Sequence, residues 1–112
     1  MLIAIAGPYS AQTEEQRKIN LDKLNFIAAE IYQKGHIPLI GVNAALFVVE
    51  KLDEAHRYEA MMNISLTLVE KCDALFFTGE SPGANLEKVL METKGKKIYY
   101  NLNDIPYNNN KK

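Results

Sequence analysis

The sequence lacks the features that mark several large classes of protein. Its 112 residues include a single cysteine, Cys72, so no disulfide framework can form within the chain. Proteins without disulfides are typical of reducing compartments, and the expected location is therefore the cytoplasm. No uninterrupted apolar run exceeds six residues, as in residues 44–49, whereas a membrane-spanning helix needs roughly 20. No basic segment precedes the first apolar residues, so a signal peptide is not expected.

A strong excess of charge is also missing. The chain has 13 basic and 14 acidic residues and a formal net charge of −1. Duplex nucleic acid and anionic membranes normally demand a cationic face, so neither is expected as the main partner. His36 and His56 have no cysteine or acidic partner at metal-ligand spacing, and no metal site is predicted. Because Gly-x-Gly-x-x-Gly and Walker-type sequences are absent, a dinucleotide oxidoreductase or P-loop kinase is not expected.

The residues that are present indicate one compact globular domain. Apolar residues make up 47% of the chain and charged residues 24%. A chain of this length buries roughly two-thirds of its unfolded surface, which supports one core without structural metal. We predict a single domain over residues 1–104, followed by a polar and disordered tail over residues 105–112.

The apolar pattern predicts strands alternating with helices. Residues 2–6 are wholly apolar and end at Gly7-Pro8, as is typical of a strand covered on both faces of a parallel sheet. Further strands are predicted at residues 36–40, 74–77 and 98–100, the first of them at a sheet edge because it contains Pro38. Helices are predicted at residues 13–35, 43–52, 54–71 and 84–94. This order predicts a Rossmann-like or flavodoxin-like α/β fold with a four-stranded, possibly five-stranded, parallel sheet of order 2-1-3-4.

Two of these helices carry apolar residues at helical spacing. In the third helix they form the predicted buried side, Met61, Met62, Leu66 and Val69, and in the fourth Leu86, Val89 and Leu90 share one face.

A ligand crevice is expected where the strand order reverses, between the first and third strands. The loops that meet there, residues 7–10 and 78–85, are rich in glycine, proline and hydroxyl side chains. Ser81, with the backbone amides near Gly83 and Ala84, could hold an anion at the helix start. Alternatively, Ser81 is a helix N-cap with Pro82 at the first helical position, and the local sequence favours this interpretation.

Glu87 lies one turn into the same helix, where the helix dipole favours an ionised carboxylate. An ionised glutamate near a bound sugar could attack the anomeric carbon, although a glutamate near a helix start is more often an ordinary surface residue. Tyr9 could hydrogen-bond this carboxylate, stack on a base, or simply pack. Cys72 is expected to be a small buried hydrophobic residue, and residues 56–59 a solvated helix face.

Several segments, taken in order, resemble the nucleoside 2-deoxyribosyltransferase-like superfamily. They are Ala-Ile-Ala-Gly-Pro-Tyr-Ser at residues 4–10, Cys-Asp-Ala-Leu at 72–75 and Ser-Pro-Gly-Ala-Asn-Leu-Glu at 81–87. The likeness covers residues 2–100 and is nearest to a small bacterial and phage branch of unknown function. Its most specific element is the Ser/Asp-x-Gly-x-x-x-Glu pattern, matched by Ser81, Gly83 and Glu87.

The resemblance implies a homodimer or larger homo-oligomer that cleaves the N-glycosidic bond of a deoxynucleoside or nucleotide without metal or organic cofactor. The sugar passes to water or to another base. By position, Glu87 would be the nucleophile, Tyr9 would orient it, and the substrate would contact the residues Gly7, Pro8, Ser10, Ser65, Ser81, Gly83 and Ala84. A serine at position 81 is similar to the 2′-deoxynucleoside 5′-monophosphate N-glycosidases and indicates a monophosphate substrate.

The sequence departs from the family pattern at Ser65. Family members often carry an aspartate eight residues before the aspartate of the Cys-Asp pair, and Ser65 stands there. A serine cannot supply a proton as a carboxylic acid does, and general acid catalysis contributes roughly 10²–10⁴-fold. The chain is therefore expected to be a slow enzyme or a nucleotide-binding module without turnover, and a third interpretation is an oligomerising scaffold. Arg17 and Lys88 are the only cations expected near a phosphate, so helix amides would carry most of its binding.

Overall fold

A computed structural model, which describes residues 1–108, shows a parallel four-stranded sheet flanked by four helices. The elements follow the order β1 Leu2–Ala6, α1 Glu14–Gln33, β2 Ile37–Leu39, α2 Gly41–Val49, α3 Glu54–Glu70, β3 Ala74–Phe77, α4 Pro82–Thr93 and β4 Lys97–Tyr99, with a 3₁₀ turn at Leu102–Asp104. The strand order is β2-β1-β3-β4, and each neighbouring pair is parallel. The predicted fold class and strand order are confirmed.

The sheet separates two apolar cores. On one face, Ile3 and Ile5 of β1 pack with Leu24 and Ile31 of α1. On the other face, the alternate residues of β1 pack against α3 and α4, through Ala4, Ala6, Val69, Ala84 and Met91. Since successive side chains of a strand point to opposite faces, both sets must be apolar, and this explains the unbroken apolar run of residues 2–6.

The strand and helix ends follow local chemistry. β2 lies at a sheet edge, which tolerates the missing amide of Pro38. The Thr13 side chain accepts a hydrogen bond from the Gln16 amide at 3.1 Å and caps α1. Gly35, just after α1, has a φ of 93°, a left-handed conformation that favours glycine.

The predicted buried side of α3 is partly wrong, and the shared apolar face of α4 is largely exposed. In α4, Leu86 and Val89 are 49% and 58% exposed, and the buried residues are Ala84, Glu87 and Met91. In α3, the fully buried residues are Ser65 and Val69, whereas Met61, Met62 and Leu66 are half-buried. The apolar pattern failed because each helix turns a polar side chain, Glu87 or Ser65, toward the protein interior.

The predicted disordered tail is wrong for residues 105–108. Ile105 is 1% exposed and packs in the core beside α1. The carbonyl oxygen of Pro106 lies 2.6 Å from Nε2 of the buried His36, and the Asn108 amide donates to the Lys34 carbonyl at 2.7 Å. A buried imidazole needs hydrogen-bond partners, and this segment supplies one. The rest of the predicted tail, residues 109–112, lies outside the described residues.

Over residues 1–108, no helix combines the length and the apolar character needed to cross a membrane.

Candidate functional site

A pocket of about 330 Å³ lies beyond the carboxyl ends of β1 and β3, where the strand order reverses. Its walls come from the loop after β1, the start of α2, one side of α3 and the first half of α4. The predicted site residues that line it are Gly7, Tyr9, Ser10, Ser65, Ser81, Gly83, Ala84 and Glu87. Small-molecule sites occupy roughly 300–1,000 Å³, so the pocket is at the small end of that range.

Pro8 is the one predicted site residue that does not line the pocket. Its ring packs instead beside Gly79, where a Cβ would lie 3.5 Å from Pro8 Cδ. The neighbouring Gly7 does line the pocket, and a Cβ there would fall 2.0 Å from Oγ1 of Thr78 and 2.9 Å from Cδ2 of Leu24. Gly7 thus lets the two loops above the sheet approach each other closely.

Glu87 is only 7% exposed, and its carboxylate accepts a hydrogen bond from the Ser65 hydroxyl. Burial raises the pKa of the Glu87 carboxyl from 4.5 to about 7, and the Ser65 hydrogen bond opposes this rise. The expectation that the helix dipole would favour the charged form is therefore wrong in direction. Glu87 is the sixth residue of α4, past the first turn where the dipole acts, so desolvation dominates.

Ser65 also packs closely against the start of α2. A Cβ on Gly41 would lie 1.9 Å from Ser65 Oγ and 3.0 Å from Ser65 Cα. The first residue of α2 therefore packs directly on Ser65, which in turn holds Glu87 of α4. Ser65 of α3 thus contacts both α2, at Gly41, and α4, at Glu87.

Tyr9 also lines the pocket. Within residues 1–108, the side-chain hydrogen bond to Glu87 comes from Ser65 and none comes from Tyr9. The Tyr9 carbonyl accepts from the Asn20 side chain at 3.0 Å, which ties the loop to α1. Within the described residues, the hydrogen bond to Glu87 that was considered for Tyr9 is made by Ser65.

Ser81 caps α4, as the local sequence favours. Its hydroxyl accepts a hydrogen bond from the Ala84 amide at 3.1 Å, and its carbonyl accepts from the Asn85 amide at 2.8 Å. Pro82 occupies the first helical position, where the missing N–H costs nothing.

Neither of the two cations expected near a phosphate lines the pocket. Arg17 lies in a neighbouring groove, where its Nη1 donates to the Ala11 carbonyl at 2.7 Å. The Lys88 ammonium lies over the rings of Phe77 and Tyr100, 5.0 Å and 5.4 Å from their centroids. Cation–π contacts of this kind hold the side chain outside the pocket.

Apart from Ser65, the α3 wall of the pocket was not predicted from the sequence. Tyr58, Met61 and Met62 line it together with Ser65. Tyr58 was expected on a solvated face, and it is indeed 57% exposed, but it also borders the pocket. The spacing 58, 61, 62 and 65 follows one helix face and could have revealed this wall.

The remaining candidate groups lie elsewhere. Cys72 is fully buried, as expected, and burial raises the pKa of its thiol to about 11, which leaves an inert thiol. In the part of the chain that the structure describes, no cluster of three histidine, cysteine or acidic side chains could hold a metal ion.

The fold and the site define a class: a parallel α/β protein with a mainly apolar pocket at its switch point and a buried carboxyl at the pocket floor. The chain belongs to the family described as a domain of unknown function, DUF4406, whose family model matches residues 1–100. This match spans all four strands and every residue of the pocket. Among curated proteins, none matches the chain.

Proposed function

We propose that this protein cleaves the N-glycosidic bond of a small (deoxy)nucleoside or its 5′-monophosphate, with Glu87 as the nucleophile. The observation that carries the proposal is the buried Glu87 carboxyl at the pocket floor, held by the Ser65 hydroxyl. The resemblance to the nucleoside 2-deoxyribosyltransferase-like superfamily supports it, since the matching glutamate falls at this site.

In the proposed reaction, an ionised oxygen of Glu87 attacks C1′ of the sugar. The glycosidic bond breaks, its electron pair leaves with the base nitrogen, and that nitrogen takes a proton from solvent. Water or a second base then attacks C1′ of the glycosyl ester, loses a proton, and releases the Glu87 carboxylate. Two displacements at one carbon give retention of configuration.

The same geometry favours a second candidate, a nucleotide-binding module without turnover. Glu87 is the one carboxyl that lines the pocket in residues 1–108, whereas retaining glycosidases use two. Ser65 stands where members of the nucleoside 2-deoxyribosyltransferase-like superfamily often carry an aspartate. Its hydroxyl donates a hydrogen bond to Glu87 and cannot serve as a general acid. Among the described residues that line the pocket, no second acid is present to protonate the leaving base.

Free base released from a panel of deoxynucleosides and their 5′-monophosphates, followed by chromatography, tests the two candidates. The glycosidase requires base release by the natural chain and none by Glu87→Gln. If no substrate yields base while ligands still bind, the binding module is the correct function.

We further propose that the protein acts in the cytoplasm as a homo-oligomer. Phe47 and Val48 of α2 are 75% and 52% exposed, an apolar surface that a second copy could cover. The free buried thiol of Cys72 agrees with a reducing compartment. Light scattering of the purified chain tests the assembly, and a monomer at all concentrations would exclude it.

A further inference from the structure

We infer that the pocket takes its substrate as an uncharged nucleoside and selects against the 5′-monophosphate. This inference rests on the proposed function and narrows its substrate class.

The first observation is the charge of the pocket wall. Among residues 1–108, no lysine, arginine, histidine or aspartate lines the pocket, and its single carboxyl is Glu87. A phosphate placed there would lose its hydration without gaining a counter-charge, which is costly.

The second observation is that the start of α4 offers almost no free amide. Of its first four residues, Pro82 has no N–H, the Ala84 N–H is taken by the Ser81 hydroxyl, and the Asn85 N–H by the Ser81 carbonyl. Only the Gly83 amide is without such a partner in the described chain. A helix start binds phosphate through several amides together, so this one is a poor phosphate cradle.

The third observation concerns the cations outside the pocket. The guanidinium of Arg57 donates to the carbonyls of Leu52 and Glu50 at 3.1 Å and 3.3 Å, and Arg17 and Lys88 are engaged as described above. The neighbouring groove, which shares Tyr9 and Tyr58 with the pocket, balances its basic and acidic side chains: Arg17, Lys18 and Arg57 against Glu14, Glu50 and Glu54. A phosphate that extended out of the pocket would therefore meet no excess of positive charge.

An uncharged nucleoside matches the side chains that are present. The thioethers of Met61 and Met62 and the ring of Tyr58 offer an apolar, polarisable surface for a flat base. The hydroxyls of Tyr9 and Ser10 can exchange hydrogen bonds with sugar hydroxyls without placing a charge in the pocket.

Calorimetric titration with matched pairs tests this inference: thymidine against its 5′-monophosphate, and deoxyadenosine against its 5′-monophosphate. The Glu87→Gln variant is used so that turnover does not interfere. We expect each nucleoside to bind at least about tenfold more tightly than its monophosphate, because the phosphate gains no partner for its charge. Equal or tighter binding of the monophosphates would overturn the inference, and so would binding of neither member of each pair.

Adding Ser81→Ala to this variant asks whether Ser81 holds a phosphate. As a helix cap, Ser81 should affect both members of a pair alike, so their affinity ratio should change by less than about twofold. A loss confined to the monophosphates would contradict the inference. Circular dichroism establishes that the double variant is folded.

The proposed function is judged separately, by base release from the natural chain. If the nucleosides bind selectively but no base is released, the glycosidase proposal fails and the inference about the ligand stands. If base is released chiefly from monophosphates, the glycosidase proposal stands and the inference about an uncharged ligand fails.

Discussion

At the scale of single residues, the ionisation of Glu87 should make the stability of the fold depend on pH. Its pKa is about 7 in the folded protein, whereas the ordinary value is 4.5. Between these values the folded state keeps a proton that the unfolded state has lost, so the free energy of unfolding falls as pH rises through this window. This difference in pKa lowers the free energy of unfolding by roughly 3 kcal/mol at pH 8, compared with its value near pH 4.

Glu87→Gln should remove this pH dependence. The variant keeps an acceptor for Ser65 but carries no charge, so it should be more stable than the natural chain by about 2–3 kcal/mol at pH 8 and similar to it near pH 4. Urea unfolding across this pH range measures the difference. Glu92→Gln, at an exposed glutamate of the same helix, is the control. If the natural chain and Glu87→Gln show parallel pH profiles, the burial argument is incorrect.

Ser65 should set the pH at which Glu87 ionises. Its hydrogen bond favours the carboxylate, so Ser65→Ala should move the Glu87 pKa upward from about 7. The midpoint of the stability profile should shift to higher pH, and so should the rising limb of base release if Glu87 is the nucleophile. Ser10→Ala removes another pocket hydroxyl, one with no bond to Glu87, and should leave the midpoint in place. An unchanged midpoint in Ser65→Ala would show that the hydrogen bond does not control the ionisation.

At the scale of secondary structure elements, the site depends on how closely α2 meets α3. Gly41→Ala would place a Cβ 3.0 Å from the Ser65 Cα, a backbone atom that cannot move away freely, so we expect a loss of roughly 1–3 kcal/mol in the free energy of unfolding. The Glu87 ionisation midpoint should also shift, since Ser65 must move. Gly83→Ala is the matched control, because its Cβ would meet only the flexible Met62 side chain, at 3.4 Å from Sδ. Equal stability of the two variants would refute the role of this contact.

The elements themselves were predictable because their signals are local. The apolar run of residues 2–6, the Thr13 cap and the glycine after α1 each lie within a few residues of the boundary they determine. The pairing of Ser65 with Glu87 was not predictable in this way, because it joins residues 22 positions apart on different helices. A glutamate and a serine in amphipathic helices are normally expected to face solvent, and only the tertiary packing shows that these two do not.

At the scale of the whole molecule, the segment after β4 completes the core. The polar composition of residues 105–112 predicts a disordered tail, yet Ile105 is fully buried beside α1 and β1. The buried imidazole of His36, the residue just before β2, forms a hydrogen bond with the Pro106 carbonyl. The buried side chains of Ile105 and His36 therefore hold residues 105–108 against the core. The composition of the tail shows neither the burial of Ile105 nor the hydrogen bond to His36.

Ile105→Ala should consequently destabilise the entire fold. Removing a large aliphatic side chain from a packed core costs roughly 2–5 kcal/mol through lost burial and the cavity that remains. Tyr107→Ala, at a position that is 69% exposed, should cost less than about 1 kcal/mol. Denaturant unfolding of both variants measures these losses, with a probe of the whole chain such as circular dichroism. If Ile105→Ala unfolds at the same denaturant concentration as Tyr107→Ala, residues 105–108 contribute little to the stability of the core.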